Sequence, residues 1–180
     1  MRAVVYRAPD RVEVSEVAEP TVPGPDGALV RVRIEGAQAE LVAVPHADTT
    51  LSKLPHGFPA EAAILMGDNL ATAWSALERA RLEPGERVAV VGGGAIGQLV
   101  SACALAAGAG SVVMVEPTAS RRAIAEARGV TTAVPAEAEA LIRRLTDGDG
   151  ADVVVEAVGA TATMDSSLKL VRRAGRVVSV

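Results

Sequence analysis

The chain has 180 residues, 49% hydrophobic and 22% charged, with a formal net charge of -4. These values exclude a disordered chain, a collagen-like repeat and a disulfide-stapled scaffold, and a chain this long buries roughly two-thirds of its unfolded surface without metal or disulfide. With 18 basic against 22 acidic side chains, and only Tyr6, Phe58 and Trp74 as aromatics, there is neither a phosphate-neutralising face nor a stacking platform, so no nucleic acid is expected as a partner.

Met1 to Arg7 is a short apolar run closed by an arginine and followed by Pro9 and Asp10, so no secretory leader is expected. Val12 and Val14 alternate with Arg11, Glu13 and Ser15, and Val30, Val32 and Ile34 alternate with Arg31 and Arg33. This period of two predicts antiparallel strands with one face buried and the other wet. Pro20, Pro23, Gly24, Pro25 and Gly27 make a turn-rich connection, and Leu41 to Val44 fits a further short strand closed by Pro45. From Pro59 the period becomes helical: Ala62, Leu65 and Met66, then Leu70, Ala73, Trp74 and Leu77, which predicts two helices joined near Gly67. The Pro84-Gly85 turn separates these helices from the rest of the chain.

Beyond Gly85 strand and helix alternate. Strands are expected at Arg87 to Val91, Ser111 to Glu116, Thr131 to Val134, Ala151 to Val158 and Arg176 to Val180. The helical patterns between them are Ile96, Val100, Cys103 and Ala107; Ile124 and Ala127; Ala138, Leu141, Ile142 and Leu145; and Met164, Leu168 and Val171. Four right-handed crossovers linking five strands describe an α/β fold, a doubly wound parallel sheet with helices on both faces. The expected organisation is a small N-terminal β domain at 1–58, connecting helices at 59–84 and the doubly wound domain at 85–180. Val88 to Val115 carries no charge over 28 residues, but its six glycines cut it into strand, turn, helix, turn and strand, so no membrane span is expected. The single Cys103 forms no intramolecular disulfide, which suits the reducing cytoplasm.

Directly after the first parallel strand runs Gly92-Gly93-Gly94-Ala95-Ile96-Gly97, a G-x-G-x-x-G. Gly92 permits the tight turn, Gly94 lets backbone approach a pyrophosphate, and Gly97 lets helix pack close to strand. The helix that starts there turns free N–H groups and the positive end of its dipole toward phosphates. Glu116 lies 19 residues beyond Gly97, at the end of the second strand, where a carboxylate accepts the ribose hydroxyls of an adenosine and repels a 2′-phosphate. NAD is therefore expected over NADP, with Arg121 and Arg122 close by as phosphate holders or as a solvated helix face. Hydride transfer also needs a group that polarises or protonates the reacting oxygen. His46 and His56 lie ten apart in a proline-containing loop and, with Cys103, lack the spacing of a zinc site. They read as exposed loop histidines, and no catalytic residue is assigned.

Met1-Arg2-Ala3-Val4-Val5-Tyr6, Leu29 to Arg33, Leu51-Ser52-Lys53-Leu54-Pro55, Glu61-Ala62-Ala63, Leu70 to Leu77, Pro84 to Val88, the glycine motif, Glu156-Ala157-Val158-Gly159 and Ala174 to Val178 together resemble the medium-chain dehydrogenase/reductase superfamily. The likeness is to its zinc-type alcohol dehydrogenase branch and covers nearly the whole chain. It implies a Rossmann domain behind a reduced, GroES-like N-terminal β domain. It further implies that Gly92, Gly93, Gly94, Ala95, Ile96 and Gly97 meet a pyrophosphate and that Glu116 and Arg121 meet the adenosine ribose. Val158 and Gly159 would lie at the crossing point of the sheet, and Thr72 at the nicotinamide.

Two departures accompany it. After Ile34-Glu35-Gly36 the family pattern continues into its catalytic cysteine and Gly-His-Glu segments and a lobe of four structural cysteines, whereas here Ala37-Gln38-Ala39-Glu40-Leu41 comes at once. Asp68 falls where some branches place a third zinc ligand, and one carboxylate does not hold the ion. No zinc is therefore expected. The family pattern also continues beyond a fifth strand, so Arg176 to Val180 is expected as an apolar edge that pairs with a second copy in a homodimer. The resemblance implies a zinc-independent, NAD(H)-binding oxidoreductase acting on a small carbonyl, alcohol or enone. The alternative is a redox-inactive dinucleotide binder serving as sensor, scaffold or repurposed biosynthetic protein.

Overall fold

The computed structural model describes residues 1–8, 11–31 and 39–180, in two compact units, Met1–Gly57 and Phe58–Val180. In the first unit β1 (Arg2–Ala8) pairs antiparallel with β2 (Arg11–Glu16), and β3 (Ala28–Arg31) with β4 (Leu41–Val44); a single helical turn, α1 (Ala47–Thr50), comes next. The expected strand positions Val32 and Ile34, and the junction through Gln38, lie outside the described residues. The buried face expected of Val12 and Val14 does not form. Val12 and Val14, on one side of β2, are 66% and 68% exposed, and Tyr6 opposite Val12 is 67% exposed. A two-stranded ribbon has no second layer of its own in which to bury a face.

The second unit begins with α2 (Ala60–Met66) and α3 (Asn69–Arg79), joined across Gly67 and Asp68. It continues through β5 (Arg87–Val91), α4 (Ala95–Ala106), β6 (Ser111–Val115), α5 (Ala119–Glu126), β7 (Thr131–Ala133), α6 (Pro135–Leu145), β8 (Ala151–Glu156), α7 (Thr161–Leu170) and β9 (Val171–Ser179). The five strands form one parallel sheet in the order β7-β6-β5-β8-β9. Alternate residues of each strand enter separate cores. Val88, Val90, Met114, Val153 and Val155 pack with α3, α4 and α5, while Ala89, Val91, Val113, Val115 and Val154 pack with α6 and α7. Unbroken apolar runs thus reflect a sheet covered on both faces. Order reverses beside β5, and the crevice outside the carboxyl ends of β5, β6 and β8 is where such sheets take ligands.

Two local expectations differ from the structure. The last strand starts at Val171 rather than Arg176, because α7 ends at Leu170 and the chain runs extended from Val171, with a register irregularity opposite Ala151 and Val153. The helices also turn a smaller face inward than the apolar pattern suggests. Ala125 is buried on α5 while Ile124 is half exposed, and Ser167 and Leu170 are buried on α7 while Leu168 faces solvent. Small residues let a helix approach the sheet closely, so volume rather than hydropathy chooses the face.

At the opposite, amino-terminal edge of the sheet Asp152 accepts from the Arg87 backbone N–H and side chain and from Arg172 Nε, joining β5, β8 and β9. Among the described residues no helix is long and apolar enough to cross a membrane.

Candidate functional site

The turn after β5 is dictated by its glycines. Gly92 has φ +101°, which L side chains rarely adopt, and a Cβ there would lie 2.6 Å from Val158 Cγ2. A Cβ on Gly97 would sit on the Gly92 carbonyl oxygen, so only glycine lets α4 come this close to the turn. Gly94, the N-cap of α4, differs: a Cβ there meets nothing within 4 Å. It faces open space at a helix start that no side chain caps, leaving the first-turn N–H groups available to an anion. Ala95 is exposed, whereas Ile96 packs against the core.

Gly92, Glu116, Arg121, Val158, Thr163 and Ser166 are among the residues around a crevice of about 290 Å³ at the switch point. The Glu116 side chain is nearly buried. Its Oε2 accepts from Gly93 N–H at 2.7 Å and its Oε1 from Thr118 N–H at 2.8 Å, and the Arg121 guanidinium lies 3.7 Å away. Burial pushes this carboxyl up, but the hydrogen bonds from Thr118 and Gly93 and the Arg121 charge outweigh it and hold it below the ordinary glutamate range. Glu116 therefore stays ionised and locks the glycine turn. Arg122 donates to the Glu116 and Pro117 carbonyls, so of the two arginines Arg121 is the one that flanks the crevice.

Thr72 stands apart from this crevice. It lies on α3 in a separate cavity of about 350 Å³ with Ser75, Arg79, Ser179 and Val180, and its hydroxyl donates to Asp68 Oδ1 at 3.3 Å. Gly159 takes a left-handed conformation, φ +79°, and donates to Glu156. Sequence reasoning missed two residues here. Gln98 donates from its amide to the Gly93 and Arg121 carbonyls, joining the glycine turn to α5. Glu156, 1% exposed, caps the turn after β8 much as Glu116 caps the one after β6. An acid closing an apolar run twice, Val-Met-Val-Glu and Val-Val-Val-Glu, was the available signal.

A doubly wound parallel sheet with a glycine turn at its switch point defines the Rossmann class of α/β proteins. The family described as zinc-binding dehydrogenase matches residues 95–180. The chain is 43% identical over 142 residues to a "probable zinc-binding alcohol dehydrogenase" of Mycobacterium tuberculosis, covering 79% of this chain and 37% of that protein. It is 32% identical over 149 residues to the NADP-dependent isopropanol dehydrogenase of Thermoanaerobacter brockii, covering 81% and 42% respectively. The solved alcohol dehydrogenase from Thermus sp. ATN1 superposes with a TM-score of 0.91 at 26% identity, over 100% of this chain and 77% of that one. The chain belongs to the medium-chain dehydrogenase/reductase superfamily, in its zinc-type alcohol dehydrogenase branch. It spans about two-fifths of the length of the two curated relatives.

Proposed function

We propose that the protein is an NAD(H)-binding oxidoreductase that works on a small carbonyl, alcohol or enone without zinc. The observation that carries the cofactor reading is the open space over Gly94 at an uncapped helix start, beside a carboxylate held ionised. Gly92 to Gly97 would hold the pyrophosphate through backbone N–H groups, Glu116 and Arg121 the adenosine ribose, and Val158 and Gly159 the crossing to the second half. The charge of Glu116 favours NAD; the nearness of Arg121 and the NADP-dependent relative weigh on the other side. A bound nicotinamide supplies the hydride. The residues of this chain would orient it, and Thr72, whose hydroxyl is tethered to Asp68, is the hydroxyl we place nearest the reacting centre.

Zinc is a poor fit to the donors present. Among the described residues no group of three or more His, Cys, Asp or Glu side chains could hold a metal ion, and burial pushes the Cys103 thiol up, away from the thiolate that zinc takes. Positioning donor and acceptor then carries the reaction. The same shortage of proton donors favours a second reading, a redox-inactive dinucleotide binder. NADH consumption by chelator-treated protein across aldehydes, ketones and enones separates the two. Turnover that survives chelation and falls in Thr72→Val, with NADH binding retained, supports the enzyme; binding without consumption supports the second reading.

β9 lies at the edge of the sheet. An open strand edge pairs readily with another chain, and we place a homodimer along it. Sedimentation should show a dimer at high micromolar concentration, and a monomer there would refute it. The same reading places the protein in the cytoplasm.

A further inference from the structure

Glu156 closes β8 at the centre of the sheet and is 1% exposed. Among the described residues it forms no ion pair, so its charge is met by donors alone. Oε1 accepts from Val158 N–H at 2.9 Å, Gly159 N–H at 3.0 Å and the Thr163 hydroxyl at 2.8 Å; Oε2 accepts from the Ser179 hydroxyl at 2.9 Å and weakly from Gly159 N–H. Burial pushes the carboxyl up, but these hydrogen bonds outweigh it and hold it below the usual range. One carboxylate thus fixes three things. It sets the turn whose Val158 abuts Gly92, the start of α7 through Thr163, and the end of β9 through Ser179. The first borders the switch-point crevice and the last borders the cavity that contains Thr72.

In a sheet built of two mononucleotide-binding halves, the β6 side with Glu116 takes one nucleoside and the β8–β9 side the other. We infer that Glu156 is a positioning residue for the nicotinamide half, holding the Val158–Gly159 turn and the Ser179–Val180 strand end in the arrangement that half requires. This rests on the dinucleotide reading proposed above. A glutamine at 156 offers one acceptor oxygen and turns an NH₂ group toward the remaining donors, so the two walls lose their common anchor.

The test is a calorimetric titration of the intact wild-type chain, Glu156→Gln and Ser179→Ala with NADH and, separately, with AMP, alongside their thermal midpoints. The expected result is a loss of about tenfold or more in NADH affinity for Glu156→Gln, with AMP affinity within about twofold of wild type. Ser179→Ala should show a smaller loss of the same kind, and it carries the test if Glu156→Gln does not fold, since it removes one surface-side hydroxyl. Equal losses for both ligands mean that Glu156 only supports the fold, and unchanged NADH affinity means that it does not position the nicotinamide half; each overturns the inference. If the wild-type chain binds neither NADH nor AMP, the dinucleotide reading itself fails and the positioning role falls with it.

Discussion

Gly94 and Gly97 belong to one motif yet face opposite constraints, and that contrast makes the site testable residue by residue. Gly97 has no room, since its Cβ would occupy the position of the Gly92 carbonyl. Gly97→Ala should lower stability by about 2 kcal/mol, as overpacking against backbone does, and abolish NADH binding with it. Gly94→Ala adds a methyl to empty space at an ordinary φ of -70°. Its thermal midpoint should stay within about 2 °C of wild type while NADH affinity falls at least tenfold, because the methyl fills the place of the phosphate. A Gly94→Ala protein that binds NADH normally would show that the cradle is architecture alone. Glu116 offers the complementary probe. Glu116→Gln keeps an acceptor for Gly93 N–H but removes the charge facing a 2′-phosphate, so the ratio of NADPH to NADH affinity should rise about tenfold, measured by parallel titrations.

At the level of elements, three carboxylates at the ends of parallel strands, Glu116, Asp152 and Glu156, are all held below their ordinary range by hydrogen bonds that outweigh burial. A depressed carboxylate contributes stability that is complete above its unfolded pKa, about 4, and is lost as pH falls through the folded value. Thermal stability of the Phe58–Val180 unit should therefore be nearly flat from about pH 8 to 5 and fall steadily below about pH 4. Asp152→Asn should cost about 2 kcal/mol at neutral pH and flatten that acid slope, since Arg87 and Arg172 are only one-third exposed and lose a common partner. A mutant with the same slope as wild type would contradict this.

The elements also show where sequence reasoning reached. The parallel strands were legible because unbroken apolar runs such as Val88–Val91 and Val153–Val155 have few other uses, and the glycine turn because no other residue fits it. The inward faces of α5 and α7 were not. Their buried residues, Ala125 and Ser167, are small or polar, and only the packing distance to the sheet selects them over Ile124 and Leu168. The start of β9 was hidden because Val171 fits a helical period as well as a strand. The acid closing the β8 run could be seen, but the full role of Glu156 could not, because it depends on Thr163 and Ser179, partners that only the folded sheet brings to it.

For the whole molecule, a sheet whose two faces are closed by helices leaves its carboxyl edge as the place where chemistry happens. There the glycine turn, Glu116 and the Val158 turn that Glu156 holds converge around one crevice. Whether that crevice takes a dinucleotide is decided by a calorimetric titration of metal-analysed protein with NADH and, in parallel, NADPH. A dinucleotide site of this build predicts NADH binding with an affinity on the order of micromolar and weaker binding of NADPH. Absence of binding by either would contradict it, and would leave the glycine turn as a means of packing α4 against β5.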